Sequence, residues 1–444
     1  MAMVGFGFME MLILLGGLSG LPANDLVSVL PPDDYFSSRG ITVNAKELMA
    51  QAGKEPSTPK AQIQQLLAIR WLGENPAATK KADGARELLE DIAAGRKAQD
   101  SHGFAKAHAR RALALLDGKK PPPLATTPAN SLRGEALKWF PADMTLAGGY
   151  EFRADRYTTE AGLALLRKPF TGLVPARERK EFYDAVDKMG NVRIDRVSAA
   201  GRHTGNGEPR QLIVRVTGAV DVKQLSAFIA STSRMKLQER RGPSGEVILA
   251  PEKGLFAIAF VADEFLFVVD HEGEKPLDLL DEVLAVKAGK KKSFAEGPLG
   301  KSLEQTPGAA RMAFVVQVPE QTRKDVTTEK GSPLRVFPQR VLAYSVKEEK
   351  MTLTVQGTFA NQKEAGPFRD ALMELRQKGL KELDNAPAEV PKELVKRLKD
   401  TLEGIKVEAE GATVKGRLAV DSDALMQTLE LLFKQRSLAP PPPP

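Results

Sequence analysis

The hydrophobic positions between residues 58 and 117 recur every three or four residues, which is the period of an amphipathic α-helix. Three such sets follow one another, and polar stretches containing Gly and Pro separate them. The sets are Ile63, Leu66, Leu67 and Trp71; Ala85, Leu88, Leu89 and Ile92; and Ala105, Ala109, Ala112 and Leu116. The pattern therefore predicts three helices. Residues 24–57 before them are interpreted as a mixed connecting segment, with LPPDDYFSSRG as turn material.

Beyond residue 131 the period changes to two, as in β-strands with one face buried. A unit of two short strands followed by a helix occurs four times in the sequence. The four predicted helices read DVKQLSAFIA, PLDLLDEVLA, EAGPFRDALMEL and DALMQTLELLF. Strand alternation is clear in Met351, Leu353 and Val355. Asp221 and Asn361 are placed to accept hydrogen bonds from helix N-terminal amides.

The four units pair into two larger copies, because EALKWFPADMTLAGGYEF precedes the first pair and KSLEQTPGAARMAFVVQV precedes the second. We therefore predict an α+β fold with mainly antiparallel sheets, built from β-hairpin-plus-helix units in two tandem modules. The predicted segments are a helical HEAT-like segment at 58–118, a Pro-rich linker at 119–130, α+β copies at 131–292 and 293–436, and a disordered Pro tail at 437–444.

The first 23 residues, MAMVGFGFMEMLILLGGLSGLPA, contain a single charged residue, Glu10. Their apolar centre is short for a spanning helix, and Ala23 suits a small-residue cleavage site. No Lys or Arg precedes the apolar run, which departs from the usual signal pattern. Residues 1–23 are interpreted as a signal peptide, or as a membrane anchor if they are not cleaved. Either case predicts an extracytoplasmic protein, periplasmic or membrane-anchored and facing outward.

The order of these segments resembles that of uncharacterised exported bacterial proteins. Those proteins have an apolar start, a short helical segment and then duplicated α+β modules. The phrases LLAIRWLGE and FAKAHARRALALLDG within the helical segment resemble HEAT repeats. The resemblance is one of organisation, and it implies an extracytoplasmic location.

Composition narrows the classes of function. The 444 residues include 64 Lys plus Arg and 57 Asp plus Glu, a net charge of +7. The basic residues are scattered among acids, which disfavours nucleic-acid binding. The chain has no cysteine, so disulfides, thiolate metal sites and cysteine nucleophiles are excluded. No serine-elbow, zinc or dinucleotide motif occurs either. We therefore expect no cofactor, no metal and no catalytic residue.

The stretch AEGPLGKS, residues 295–302, fits a loose phosphate-loop pattern through Gly300, Lys301 and Ser302. A true phosphate loop follows a buried strand and begins a long helix. Here AVKAGKKKSF precedes the motif, and Pro307 interrupts the following helix. We therefore expect Gly300 to allow a tight turn and Ser302 to face solvent. An NTPase that uses Lys301 is kept as an alternative function.

The hairpin formed by LFAIAFV and FLFVVD is apolar on both faces, so both faces should be covered. Packing within the chain is one explanation. The other is a pocket for an apolar ligand lined by Phe256, Ile258, Phe260, Phe265 and Phe267. The sequence as a whole favours a non-catalytic exported binding or scaffold protein of the cell envelope. Its partner would be an unknown protein or envelope component, with membrane association possible through the N-terminus. A carrier of a lipid or other apolar ligand is the first alternative.

Overall fold

A computed structural model describes residues 26–98, 102–122, 137–151, 176–203, 209–219, 221–232, 236–261, 264–271, 275–328, 333–347, 351–386 and 392–420. The predicted signal segment, the predicted helix DALMQTLELLF and the predicted Pro tail lie outside these residues. Within the described ranges, no helix combines the length and apolar character needed to cross a membrane.

The helices and strands have the following bounds. The α-helices are α1 Leu26–Val29, α2 Pro32–Ser38, α3 Ala45–Ala52, α4 Pro59–Glu74, α5 Pro76–Thr79, α6 Ala85–Ala94, α7 Phe104–Leu116, α8 Ala176–Met189, α9 Val222–Thr232, α10 Pro276–Lys287, α11 Pro298–Glu304, α12 Glu320–Thr328, α13 Gln362–Asp384 and α14 Lys392–Glu403. The strands are β1 Leu146–Glu151, β2 Arg193–His203, β3 Pro209–Ala219, β4 Leu237–Arg241, β5 Val247–Pro251, β6 Phe256–Val261, β7 Glu264–Asp270, β8 Ala310–Gln317, β9 Arg340–Lys347, β10 Met351–Thr358, β11 Lys406–Glu410 and β12 Thr413–Val420.

The chain has the predicted α+β fold: a helical N-terminal segment precedes a region built on a large antiparallel sheet. The strand order is β11-β12-β10-β9-β8-β1-β2-β3-β7-β6-β5-β4. The same order of connections occurs twice in this sheet, once on each side of the β1–β8 pair. One side runs β1-β2-β3-β7-β6, and the other side runs β8-β9-β10-β12-β11. Strands β5 and β4 extend the first of these runs. The pairings β1–β8, β8–β9, β9–β10, β10–β12, β11–β12, β4–β5 and β5–β6 are all antiparallel.

The chain divides into two compact units, each assembled from separate segments. Unit one comprises Met1–Pro128, Glu151–Val197 and Arg215–Phe267. Unit two comprises Ala129–Tyr150, Ser198–Val214 and Val268–Pro444.

Helix α4 is the centre of the helical part of unit one. The helices predicted from the period of 3.6 are present as α4, α6 and α7, and α3 and α7 pack against α4. The side chains of Ile63, Leu66 and Leu67 are completely buried. A Cβ atom on Gly73 would lie 2.5 Å from the Cα atom of Ala112. Gly73 therefore permits the close approach of α4 and α7.

The prediction that LPPDDYFSSRG is turn material was wrong, because residues 32–38 form helix α2. Proline is tolerated in the first turn of a helix, and acidic residues there interact favourably with the helix dipole. Asp33 and Asp34 occupy that turn. Tyr35 and Phe36 are completely buried. Burial of these two rings decides the conformation, and the sequence around them shows no helical period long enough to reveal it.

A hydrogen-bonded ionic cluster joins α2 to helix α8 within unit one. The hydroxyl of Tyr35 donates to Oδ1 of Asp187. The guanidinium of Arg39 contacts Asp187 and Asp184, each at 2.9 Å. In the same region the hydroxyl of Tyr183 donates to Asp34 at 2.7 Å. The cluster fixes α8 against the N-terminal helices.

Burial sets the protonation of this cluster. Burial, with the hydrogen bond to Asp187, strongly raises the pKa of the Tyr35 hydroxyl, which therefore stays protonated and donates. Burial also raises the pKa of Asp187, although Tyr35 and Arg39 oppose this shift. Burial opposes the charge on Arg39, but Asp187, Tyr35 and Asp184 together raise its pKa, so the cation is retained.

In unit two, helix α13 packs on strands β11 and β12, and helix α14 packs beside α13. Phe359, Phe368 and Val414 form the centre of this core.

The predicted cap by Asp221 is confirmed, since its carboxylate accepts from the amide of Gln224 at 3.0 Å. The predicted cap by Asn361 was wrong, because its side-chain amide donates to Glu364 instead. Helices α1, α3, α5, α8, α12 and α14 and strands β4 and β5 were not predicted either.

We predict that Tyr35→Phe lowers the free energy of unfolding by about 1.5–3 kcal/mol, because the buried Asp187 loses a charge-assisted hydrogen bond. Chemical denaturation of the purified protein measures this change. Tyr344→Phe, at a half-buried tyrosine on β9, is the matched control and should change stability by less than about 0.5 kcal/mol. Equal effects of the two substitutions would show that the cluster does not contribute to stability.

Candidate binding surface

Strands β8, β9 and β10 of unit two have an apolar face that is partly open to solvent. Directly opposite residues of antiparallel strands point to the same face of a sheet. Phe314 of β8 is opposite Ala343 of β9, and Ala343 is opposite Val355 of β10. Phe314 is 38% exposed and Val355 is 42% exposed, which is unusual for large apolar side chains in the middle of strands.

The residues two positions away along each strand share this face. Four of them are half-buried apolar side chains: Met312, Val316, Val341 and Leu353. The other two are Ser345, which is 7% exposed and lies between Met312 and Leu353, and the buried Gly357. Together with Phe314, Ala343 and Val355, the four apolar residues form a continuous surface, called here the apolar face. Single exposed apolar side chains are ordinary in proteins, whereas contiguous apolar patches mark sites of interaction.

The opposite side of the same strands is the more deeply buried one. Ala313, Val315 and Leu342 are at most 4% exposed. Helix α11 packs against β8, and Nη1 of Arg340 donates to Ser302 of this helix at 2.7 Å. On β10, Thr354 is only 2% exposed although Val355 beside it is open. The usual arrangement, with apolar side chains inside and polar ones outside, is therefore reversed in this part of β10.

Gly148 of β1 shapes one edge of the apolar face. It is opposite Phe314, and a Cβ atom on Gly148 would lie 2.3 Å from Cδ1 of Phe314. The ring of Phe314 therefore extends over β1. Ala343 has a short side chain and lies between Phe314 and Val355. Because one strand separates β8 from β10, these two strands are about 9.6 Å apart. The apolar face thus has a shallow floor at Ala343 with larger apolar side chains on both sides.

The hairpin β6–β7 of unit one is covered on both faces, as its apolar sequence predicted. Ala257, Ala259 and Leu266 on one face are completely buried. On the other face, Ile258, Phe260 and Phe265 are at most 3% exposed. Phe256 and Phe267 are half-buried at the end of this face, and their rings stack with centroids 5.8 Å apart. The five predicted pocket residues therefore share one face, and the ligand remains a prediction.

The residues of the loose phosphate-loop motif lie in helix α11. Gly300 is buried within this helix rather than in a turn, and a Cβ atom there would lie 2.3 Å from the carbonyl oxygen of Phe294. Ser302 is buried, contrary to the expectation that it faces solvent. Its hydroxyl donates to the carbonyl of Pro298 at 3.1 Å and accepts from Arg340. Lys301 is exposed. The backbone amide of Lys301 donates to Gly297 in the helix, so it does not contribute to a phosphate cradle.

A polar cleft in unit one was not predicted from the sequence. Its enclosed volume is only about 20 Å³, and it is lined by Ser28, Arg70, Glu74, His108, Arg111, Ala112 and Leu115. Arg70 donates to Glu74 at 2.8 Å and to the carbonyl of Leu30 at 2.9 Å. Arg111 donates to the carbonyl of Pro122 at 2.6 Å. These bonds show that the buried cations of the cleft hold neighbouring segments of chain in place.

Across the described ranges, no three His, Asp or Glu side chains come together in a way that could hold a metal ion.

Comparisons with known proteins give no family. No protein-family model and no curated protein matches the chain. Among solved structures, crystal form III of TP0453 has a TM-score of 0.38 and 9% identity over 66% of this chain and 96% of that chain. Crystal form I of TP0453 has a TM-score of 0.33 and 11% identity over 67% and 97%. Likeness at this level supports no inference about function.

We predict that Phe260→Ala destabilises the protein by about 3–5 kcal/mol, because the substitution leaves a cavity under a ring that is only 3% exposed. Phe256→Ala removes the same side chain from a half-buried position of the same strand and should cost clearly less. Thermal and chemical unfolding measure both changes. A larger loss for Phe256→Ala would contradict this assignment of the hairpin core.

For the loose phosphate-loop motif, we predict that Lys301→Ala changes the free energy of unfolding by less than about 0.5 kcal/mol, because Lys301 is exposed. Nucleotide retention should also be unchanged. Isothermal titration with Mg-ATP tests the second point. Micromolar binding that disappears in Lys301→Ala would establish the NTPase alternative.

Proposed function

We propose that this protein is a non-catalytic binding or scaffold protein of the cell envelope and that the apolar face is its binding surface. The exposure of Phe314 and Val355 in the middle of strands β8 and β10, which flank β9, is the observation that carries this proposal. The partner is a protein or another envelope component that covers the apolar face.

The energetic argument rests on apolar area. Removing apolar surface from water stabilises a complex by roughly 25 cal/mol per Å². Aromatic side chains are among the residues that contribute most when they become buried at an interface. Phe314 is the aromatic anchor of the apolar face, and Val355 is the most exposed of its aliphatic residues. Leaving these side chains open has no benefit for folding, so a partner is the simplest reason to maintain them.

The non-catalytic part of the proposal is supported by how the polar groups are used. Ser302 bonds to Pro298 and Arg340 inside unit two. Tyr35, Arg39 and Asp187 bond to one another inside unit one. These groups hold elements of the fold together rather than facing a common opening.

The location outside the cytoplasm is proposed from residues 1–23, which contain one charged residue. A reporter that is active only outside the cytoplasm, fused after residue 130, should be active. A silent reporter in cells that contain the fusion protein would contradict export.

We predict that a photo-cross-linking amino acid at position 355 gives a discrete adduct in the native host. The same amino acid at Arg417, an exposed position on β12, is the matched control and should give none. Phe314→Lys should abolish the adduct at position 355, because a charge on the apolar face opposes burial. Circular dichroism of Phe314→Lys verifies that the fold is kept. Equal labelling at positions 355 and 417 would contradict the proposed surface.

The lipid carrier is the second candidate, and the half-buried stack of Phe256 and Phe267 favours it. Mass spectrometry of the natively purified protein separates the two candidates. A lipid that co-purifies with the protein, and is lost in Phe256→Ala, would support the carrier. Protein without lipid, together with the adduct at position 355, would support the scaffold.

A further inference from the structure

Unit two has a basic patch that the proposed function does not use. Four lysines, Lys287, Lys290, Lys291 and Lys292, occur within six residues, with no acidic residue between them. All four are exposed. Helix α10 ends at Lys287, and Gly289 follows it with a φ of +72°. This left-handed glycine turns the chain sharply, so that the last three lysines lie in a short loop rather than continuing the helix.

A tryptophan lies directly beside these lysines. The ammonium of Lys287 is 5.1 Å from the ring centre of Trp139. The loop is also tied to the turn that carries Trp139, because the amide of Phe294 donates to the carbonyl of Phe140 at 2.7 Å. A β-bridge between Pro141 and Ser293 adds a second connection. Trp139 is half-buried, and its neighbour Lys138 is exposed.

The acidic residues near the loop are already bonded to other groups. Glu282 accepts from Arg202 at 2.9 Å and from Lys291 at 3.2 Å. Glu296 caps the short helix that follows the loop, since it accepts from the amide of Ser293 at 3.1 Å. The ion pair with Glu282 reduces the contribution of Lys291 to the attraction between this loop and an anionic surface. The patch also carries the charges of Lys138, Lys287, Lys290 and Lys292.

We propose that Lys138, Trp139, Lys287, Lys290, Lys291 and Lys292, called here the basic patch, bind the surface of an anionic membrane. Clustered lysines are attracted to anionic lipid headgroups over about one Debye length. Tryptophan adds a preference for the membrane interface, where an apolar ring and a polar N–H are both accommodated. This combination favours a lipid surface over a nucleic acid, which is recognised by longer basic stripes. The inference deepens the envelope proposal and rests on its export.

The test uses the full chain and vesicles of phosphatidylglycerol and phosphatidylethanolamine, with phosphatidylcholine vesicles as the neutral comparison. The readout is the ratio of binding to the two kinds of vesicle, because residues 1–23 would act on both. Lys290 and Lys292 should contribute about fivefold each and the ion-paired Lys291 less, so Lys290→Gln, Lys291→Gln and Lys292→Gln together should lower the ratio by at least about 25-fold. The ratio for the natural sequence should also fall as salt is raised.

The matched control removes three exposed lysines from helix α13: Lys363, Lys378 and Lys381. The control should leave the ratio near that of the natural sequence. An equal loss in the control would overturn the proposal, since it would show that net charge alone drives binding. An unchanged ratio in the loop variant would also overturn it, and would leave the lysines with the structural role of cations at a helix C-terminus.

Fluorescence tests the position of Trp139. The chain has two tryptophans, and Trp71 is only 7% exposed. Brominated anionic lipid should therefore quench Trp139, and Trp139→Phe should remove the quenching. Quenching that persists in Trp139→Phe would overturn the assignment of this surface.

Loss of binding to duplex DNA but not to vesicles in the loop variant would assign the patch to nucleic acid instead. All these outcomes are independent of the export reporter and of the adduct at position 355.

Discussion

The two faces of an antiparallel sheet must be covered wherever they are apolar, and this requirement organises the described structure. Helix α11 packs against one face of β8, and helix α13 packs against β11 and β12. Neither helix covers Phe314 of β8 or Val355 of β10, and both side chains stay open to solvent. The apolar face is therefore what remains after the described helices have been placed, and it is the reason to look for a partner rather than for a catalytic site.

In unit one the N-terminal helices pack through polar contacts as well as apolar ones. Tyr35 and Phe36 are buried, but the orientation of α8 depends on charged groups: Arg39 holds Asp184 and Asp187. Buried ion pairs contribute less to stability than their geometry implies, because desolvation opposes them. Their main effect here is to fix which surface of α8 faces α2.

The proposed surfaces in unit two differ in chemistry. The apolar face consists of aliphatic side chains and one aromatic ring, and it suits a partner that loses water on binding. The basic patch consists of flexible lysines beside Trp139, and it suits a charged surface at longer range. An envelope scaffold would have a use for both kinds of contact. The predicted division into modules at 131–292 and 293–436 remains a prediction. What the sheet contains is one order of connections that occurs twice, in β1-β2-β3-β7-β6 and in β8-β9-β10-β12-β11.

The sequence alone determined the α+β fold, the helices α4, α6 and α7, and the four hairpins. These elements have strong local periods, and burial of one face follows directly from such a period. Tertiary structure decided what the period cannot show. Helix α2 depends on the burial of Tyr35 against residues more than 140 positions away. The alternation of Met351, Leu353 and Val355 predicted a strand, yet only tertiary packing decided that Thr354 is buried and Val355 is open. An alternating pattern fixes which residues share a face, and the neighbouring elements decide which face meets water.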